Sequence, residues 1–264
     1  MKFDLRYFTG TGNSLKILKT CAEEFSKQHQ VNIAAITKEK QIPQNTDIVV
    51  FCFPVYAFGI PRICKKYLKN LNKFNSPKKA VILITAGDAD ESGFSVKECE
   101  KILQTKNCTI IYSSVFEMPI NWTVSMNPPA KEEAETIIRN GVEKAKNVAN
   151  EILNGINKYH KFNIPKRYGS IGLYKDYWLF KLGVRNLWKM FKVYESCNGC
   201  GICAKSCPTQ SIAVINKNPI WKSTCEQCMR CVNVCPSKAI YQSFGGNTQG
   251  RNRYLEPGFK PLID

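Results

Sequence analysis

The chain has two histidines, His29 and His160, and neither stands in a pattern with serine or carboxylate that resembles a hydrolytic triad. It has no apolar run near the roughly 20 residues that a helix needs to span a bilayer. It shows no secretory leader pattern, since Met1-Lys2-Phe3-Asp4-Leu5 runs straight into a strand-like segment; the expectation is a soluble, cytoplasmic protein. Two familiar nucleotide loops are missing as well. Gly10-x-Gly12 meets Leu15 where Gly-x-Gly-x-x-Gly needs its third glycine, and no Gly-Lys-Ser/Thr occurs. Acidic residues are scarce, 21 against 38 lysines and arginines, for a formal charge of +17. That balance points to acidic partners, an anionic surface or nucleic acid. No zinc-finger or RNA-binding signature accompanies it, so the basic residues read as a solvated face and no nucleic-acid partner is expected.

Cysteine, by contrast, is abundant, with 13 in 264 residues. Eight of them form a repeat: Cys197-x-x-Cys200-x-x-Cys203-x-x-x-Cys207-Pro208, then Cys225-x-x-Cys228-x-x-Cys231-x-x-x-Cys235-Pro236. Thiolates two residues apart on a tight loop converge on three corners of one iron–sulfur cube. The fourth, beyond a three-residue gap and fixed by proline, points toward the other cube. Crossed ligation is therefore expected. Cluster I takes Cys197, Cys200, Cys203 and Cys235; cluster II takes Cys225, Cys228, Cys231 and Cys207. A zinc ribbon also uses Cys-x-x-Cys, but it leaves a third thiol and a Cys-Pro unexplained in each half. The repeat reads as a two-[4Fe–4S] ferredoxin module. Its free thiolates call for a reducing compartment, most simply the cytosol of an organism that limits oxygen. The other cysteines, Cys21, Cys52, Cys64, Cys99 and Cys108, occur singly and read as small buried hydrophobes.

The first half of the chain alternates strand and helix patterns. Residues 2–8 read as a strand, followed by Thr9-Gly10-Thr11-Gly12-Asn13-Ser14 and a helical stripe of Leu15, Ile17, Leu18, Cys21, Ala22 and Phe25. Strand, glycine-hydroxyl loop and helix start form an arrangement that binds phosphate: glycines admit close backbone approach, and the helix terminus presents N–H groups. Strands follow at 31–36, 47–53, 79–85 and 108–116, with helices at 63–71, 94–103 and 129–154. The alternation implies an α/β parallel sheet covered on both faces.

On these residues the half resembles flavodoxin. Thr9, Gly10, Thr11, Gly12, Asn13 and Ser14 look like the loop that holds the FMN phosphate without a lysine. Pro54, Val55, Tyr56, Ala57, Phe58 and Gly59 follow the third strand and offer Tyr56 and Phe58 to lie against the isoalloxazine; Thr85, Ala86 and Gly87 end the fourth strand beside them. In the flavodoxin-like strand order these loops flank the switch point. One departure is that no aromatic follows the fourth strand until Phe94, leaving one flavin face open or covered by Trp122 or the ferredoxin module. Asp88, Asp90 and Glu91 there either bring negative charge near the ring or form an ordinary acidic turn. With the cysteine repeat and Met118-Pro119-x-Asn121-Trp122, the whole chain resembles the flavodoxin–ferredoxin fusion proteins of anaerobic microbes. The resemblance implies two [4Fe–4S] clusters and FMN, with electrons passing between them. It implies a flavin-dependent reductase, or else a carrier with no substrate of its own; partners would be redox proteins or a small-molecule acceptor.

The expected organisation is a flavodoxin-like doubly wound sheet over 1–155, a basic amphipathic connecting segment over 156–190, a small α+β two-cluster domain over 191–241 and a tail over 242–264. In the connecting segment, Leu173, Tyr177, Phe180, Val184, Leu187, Trp188 and Phe191 fit one helical stripe, with Lys181, Arg185, Lys189 and Lys192 on another face. The stripe suits domain docking, and such a helix also suits an anionic membrane surface. The Gly-rich tail either frays or folds back over the flavin domain, with Arg253 near a phosphate or carboxylate.

Overall fold

Ile48–Pro54 is a seven-residue strand buried at all but its last position, as expected where helices cover both faces of a parallel sheet. The computed structural model describes residues 1–88, 92–159 and 170–262, without the side chains of Ser170, Ile171, Leu173 and Asp176. Asp90, Glu91 and His160, the 160–169 part of the basic segment and the Leu173 side chain thus lie outside the described residues. Two compact units divide the chain. The first comprises Met1–Thr9, Asn13–Met118 and Glu135–Tyr177; the second comprises Gly10–Gly12, Pro119–Ala134 and the chain from Trp178.

In the first unit the strands are β1 (Lys2–Tyr7), β2 (Gln30–Ala35), β3 (Ile48–Pro54), β4 (Lys78–Ala86) and β5 (Cys108–Glu117). They are joined by α1 (Asn13–Ser26), α2 (Arg62–Asn70) and α3 (Ser95–Gln104), and α4 (Lys131–Leu153) follows β5. The sheet is all parallel in the order β2-β1-β3-β4-β5. This is the flavodoxin-like doubly wound order, with its switch point between β1 and β3. Phe51, Cys52 and Phe53 of β3 and Val81, Ile82 and Leu83 of β4 are fully buried, and Ile17, Leu18, Cys21 and Phe25 bring one stripe of α1 into the same core. Cys64, Cys99 and Cys108 are buried too. His29 stacks on Phe3.

The second unit is a smaller α+β domain. Its helices are α6 (Ile202–Lys205) and α7 (Arg230–Val234). Its strands are β6 (Phe191–Val193), β7 (Ile212–Ile215), β8 (Asn218–Trp221) and β9 (Ile240–Gln242), paired antiparallel as β6 with β9 and β7 with β8. Val124, Phe191, Ile212, Trp221, Met229, Val232 and Ile240 form its core, against which Trp122 and Trp188 pack.

The expected single helical stripe from 173 to 191 is not what forms. Helix α5 runs from Ser170 to Gly183, a 3-10 turn covers Leu187–Met190, and Phe191 begins β6. Pairing of Phe191 with Gln242 and burial of its ring outweigh helical continuation. On α5 itself Tyr174, Trp178, Leu179 and Leu182 are exposed. Among the described residues no helix is long and apolar enough to cross a membrane.

Candidate cofactor sites

The cysteine repeat is mirrored in the backbone of the second unit. Left-handed conformations occur at Gly199 and Gln227, at Gly201 and Met229, and at Gln210 and Lys238, each pair at matching positions of the two halves. Such residues turn successive N–H groups into a concavity suited to an anionic group. Gly199 has a second constraint, since a Cβ there would lie 2.7 Å from Lys217 Cα and 2.8 Å from its carbonyl oxygen. The last thiol of each half accepts an equivalent bond. Ser211 N–H donates to Cys207 Sγ at 3.3 Å, and Ala239 N–H donates to Cys235 Sγ at 3.3 Å.

The eight thiols gather into two groups. Cys197, Cys200, Cys203 and Cys235 line one cavity, with Gly199 and Val214. Cys225, Cys228, Cys231 and Cys207 line another, with Ile212 and Trp221. The groups differ in exposure: Cys200 is exposed in the first, whereas Cys225 and Cys231 are buried in the second.

Burial pushes the Cys203 thiol up to about 11, and the neighbouring Cys235, Cys200 and Cys197 push the same way. In the other group burial raises Cys225 to about 12, and Cys228 and Cys207 add to it. Cys228 rises to about 11 through burial, opposed by the positive charge of Arg230. Thiols raised in this way favour the neutral form, and bound iron would reverse the balance by holding Cys203, Cys225 and Cys228 as thiolates. Among the described residues no three His, Cys, Asp or Glu side chains close on a point as a single ion requires. A cube instead spreads its thiolates over separate irons. The donor set fits two cubes.

Arg230, in the spacer between Cys228 and Cys231, is 1 % exposed. Its guanidinium donates to the carbonyls of Gly10 at 2.7 Å and Ser206 at 3.0 Å and lies over the Phe259 ring. Asn121 Nδ2 donates to Thr11 Oγ1 at 2.9 Å, and Asn121 O accepts from Asn233 Nδ2 at 3.0 Å. The Gly10–Gly12 segment is thereby held to the loop carrying the second thiol group. The tail joins it: Glu256 N–H donates to Thr11 O at 2.8 Å, and Tyr254, Glu256 and Phe259 are buried. Gly12 has a φ of +108°, and a Cβ on it would stand 2.6 Å from Glu256 Cβ and 2.7 Å from Phe259 Cβ. Glycine is thus demanded at 12 by the chain's own tail. Arg253 meets the carbonyl oxygens of Thr248 at 2.9 Å and Arg251 at 3.2 Å rather than a carboxylate. Over the described residues, then, the tail packs on the second unit and does not fray. Arg230, Asn233 and the tail carried no sequence signal beyond position, in Arg230's case between two cysteines.

In the first unit, Thr9 and Ser14 are buried where β1 gives way to α1, whose first turn holds no acidic residue. Ser14 Oγ and Thr85 Oγ1 are hydrogen-bonded at 2.8 Å, and Thr85 O accepts from Val55 N–H at 3.0 Å. Tyr56 and Gly59 close a tight turn in which Ala57 and Phe58 both take positive φ, 45° and 65°. Two such non-glycine residues in succession cost free energy and recur at ligand-binding loops. Pro54, Val55, Tyr56, Ala57 and Phe58 are half-buried, Ala86 is buried and Gly87 exposed. Phe94, the first aromatic after β4, donates its N–H to Phe58 O at 2.7 Å and packs against Tyr174 and Tyr177. Glu98 braces this loop by accepting from Ile60 N–H at 2.9 Å, with Lys65 and the Tyr177 hydroxyl on its other oxygen. The first unit thus sets Ser14, Thr85 and the Pro54–Gly59 turn at the ends of β1, β4 and β3. A helix start with hydroxyls and a half-buried aromatic turn at a switch point fit a phosphate-bearing flavin.

Residues 196–240 match the model of the 4Fe-4S dicluster domain. The smaller α+β domain of the C-terminal unit thus matches this family model over the cysteine repeat. Polyferredoxin protein MvhB of Methanothermobacter thermautotrophicus is 37% identical over 62 residues, covering 22% of this chain and 15% of that protein. The chain therefore spans well under two thirds of this relative. Among solved structures, an azoreductase from Bacillus anthracis str. Sterne aligns with 57% of this chain and 99% of its own at 16% identity and TM-score 0.41. Streptococcus pneumonia TIGR4 flavodoxin aligns with 59% and 100% at 14% identity and TM-score 0.40. The strand order and the cysteine-domain match together give a flavodoxin-like fold joined to a domain similar to the 4Fe-4S dicluster family.

Proposed function

We propose that the chain is an electron-transfer protein that links two [4Fe–4S] clusters to FMN, and that it serves as a flavin-dependent reductase within the flavodoxin–ferredoxin fusion family. The general redox role follows from the architecture. The observation that carries the finer reading is the bonding of Arg230 and Asn121 to Gly10 and Thr11, which ties the loop of Cys225–Cys231 to the segment proposed to hold the flavin phosphate. When bound, the clusters would supply one-electron exchange and the flavin one- or two-electron exchange coupled to protons.

The residues have separable tasks. Cys197, Cys200, Cys203 and Cys235 would hold cluster I, and Cys225, Cys228, Cys231 and Cys207 cluster II, in line with their two cavities. Thr9–Ser14 would hold the phosphate, Tyr56 and Phe58 would flank the ring, and Thr85–Gly87 would border it. Arg230 places a buried positive charge beside Cys228, and that charge would favour the more negative, reduced state of a cluster held there.

Anaerobic purification tests this reading. FMN should be present in equal amount to the chain, with iron and sulfide for two cubes. Thr11→Asp sets a carboxylate against the phosphate and should release FMN while cluster absorption remains. Full retention of FMN by that variant would remove the phosphate-loop assignment.

A further inference from the structure

A cleft in the second unit opens beside Cys235 and Pro236, and no aspartate or glutamate is among its described lining residues. Its walls are apolar at Ile202, Val234, Leu255 and Leu262, and Lys238, Arg253 and Lys260 supply its charges. Lys238 and Lys260 are exposed. Arg253 is half-buried and spends its bonds on carbonyl oxygens, so its charge is not neutralised by those contacts. Among the described residues no carboxylate forms an ion pair with any of the three.

The cleft adjoins the thiol group that solvent reaches. Cys235 belongs with Cys197, Cys200 and Cys203, the set containing the exposed thiol, while the other set lies deeper and is bonded toward Gly10 and Thr11. An external electron carrier would approach the first set. We propose that this cleft docks an acidic one-electron carrier protein, with an apolar side chain entering the cleft and carboxylates meeting Lys238, Arg253 and Lys260. The carrier would give up one electron to the cluster that Cys197, Cys200, Cys203 and Cys235 would hold, with no bond made or broken. The onward path from there rests on the function proposed above; the docking does not. An acidic partner is also what a chain of formal charge +17 attracts over distance.

The test uses the holo-protein and an oxidised, acidic two-[4Fe–4S] ferredoxin as probe, with binding followed by isothermal titration. Affinity should fall as salt rises, and Lys238→Glu with Lys260→Glu should weaken it by on the order of tenfold or more. Reduction of the same variant by methyl viologen radical, a small cation that the new carboxylates attract, should be no slower than in wild type. Absence of binding by wild type at low salt, or unchanged affinity in the variant, overturns the proposal. A viologen rate that falls with the affinity traces the effect to damage at cluster I and overturns it too. Wild-type dimers abolished by the same changes would give the cleft to a second copy of the chain. If the oxidised ferredoxin docks as expected but the same ferredoxin, once reduced, never reduces flavin, the relay fails and the docking site stands.

Discussion

Cys207 and Cys235 each belong by sequence to one half of the repeat and by position to the cavity of the other. The residue-scale prediction follows. Cys207→Ser should perturb the cluster held by Cys225, Cys228 and Cys231 and spare the other. Low-temperature EPR of the reduced variant reads this directly, and loss confined to the Cys197, Cys200 and Cys203 cluster would contradict it. These cysteines were legible in the sequence because ligand spacing is a property of a short loop. Gly12 was legible as a required glycine but for another reason, since the phosphate loop explains a close approach whereas the structure sets Glu256 and Phe259 there. A contact from more than two hundred residues away leaves no local trace. Asp4 and Arg6 were hidden similarly. Both are buried, paired at 2.7 Å and joined by Asn32 and Gln41, and no role for either was read from the sequence.

At the scale of elements, the five parallel strands were visible because each is a short apolar run between glycine- or proline-bearing loops. The fate of residues 173–191 was not, because Phe191 fits a helical stripe and a strand equally and only its pairing with β9 decides. The second cluster loop was half-legible. Its left-handed positions are Gln227, Met229 and Lys238, where the first half displays glycine at two of the three. The helices and strands also carry buried thiols with a consequence for alkaline stability. Burial pushes Cys21, on α1, and Cys108, on β5, from the ordinary 9.0 up to about 12. Cys21 donates its proton to Ala145 O at 3.5 Å. Above pH 9 the unfolded chain loses protons that the folded one keeps, so stability is intact below that pH and declines toward about pH 12. The limiting slope is about 1.4 kcal/mol per pH unit for each thiol. Urea unfolding of the sheet, followed by circular dichroism at about pH 8 and about pH 10, should show a smaller loss in Cys21→Ala than in wild type. Equal losses would show that Cys21 is not linked to folding.

At the scale of the whole molecule, the two units have different grounds for stability. The first has a continuous core of buried strands. The second is built from short strands and two short helices around eight thiols, so bound iron would contribute much of its folding free energy. The account rests on electrons moving between the clusters and the flavin inside a single chain. Anaerobic flash photolysis measures this most directly: the clusters are reduced by a photogenerated donor, and flavin absorbance is followed over a tenfold range of protein concentration. The account predicts a flavin-reduction phase that follows cluster reduction, keeps one rate constant across that range and disappears in the FMN-free Thr11→Asp variant. A rate that falls in proportion to dilution, or flavin reduction that precedes the clusters, would contradict it.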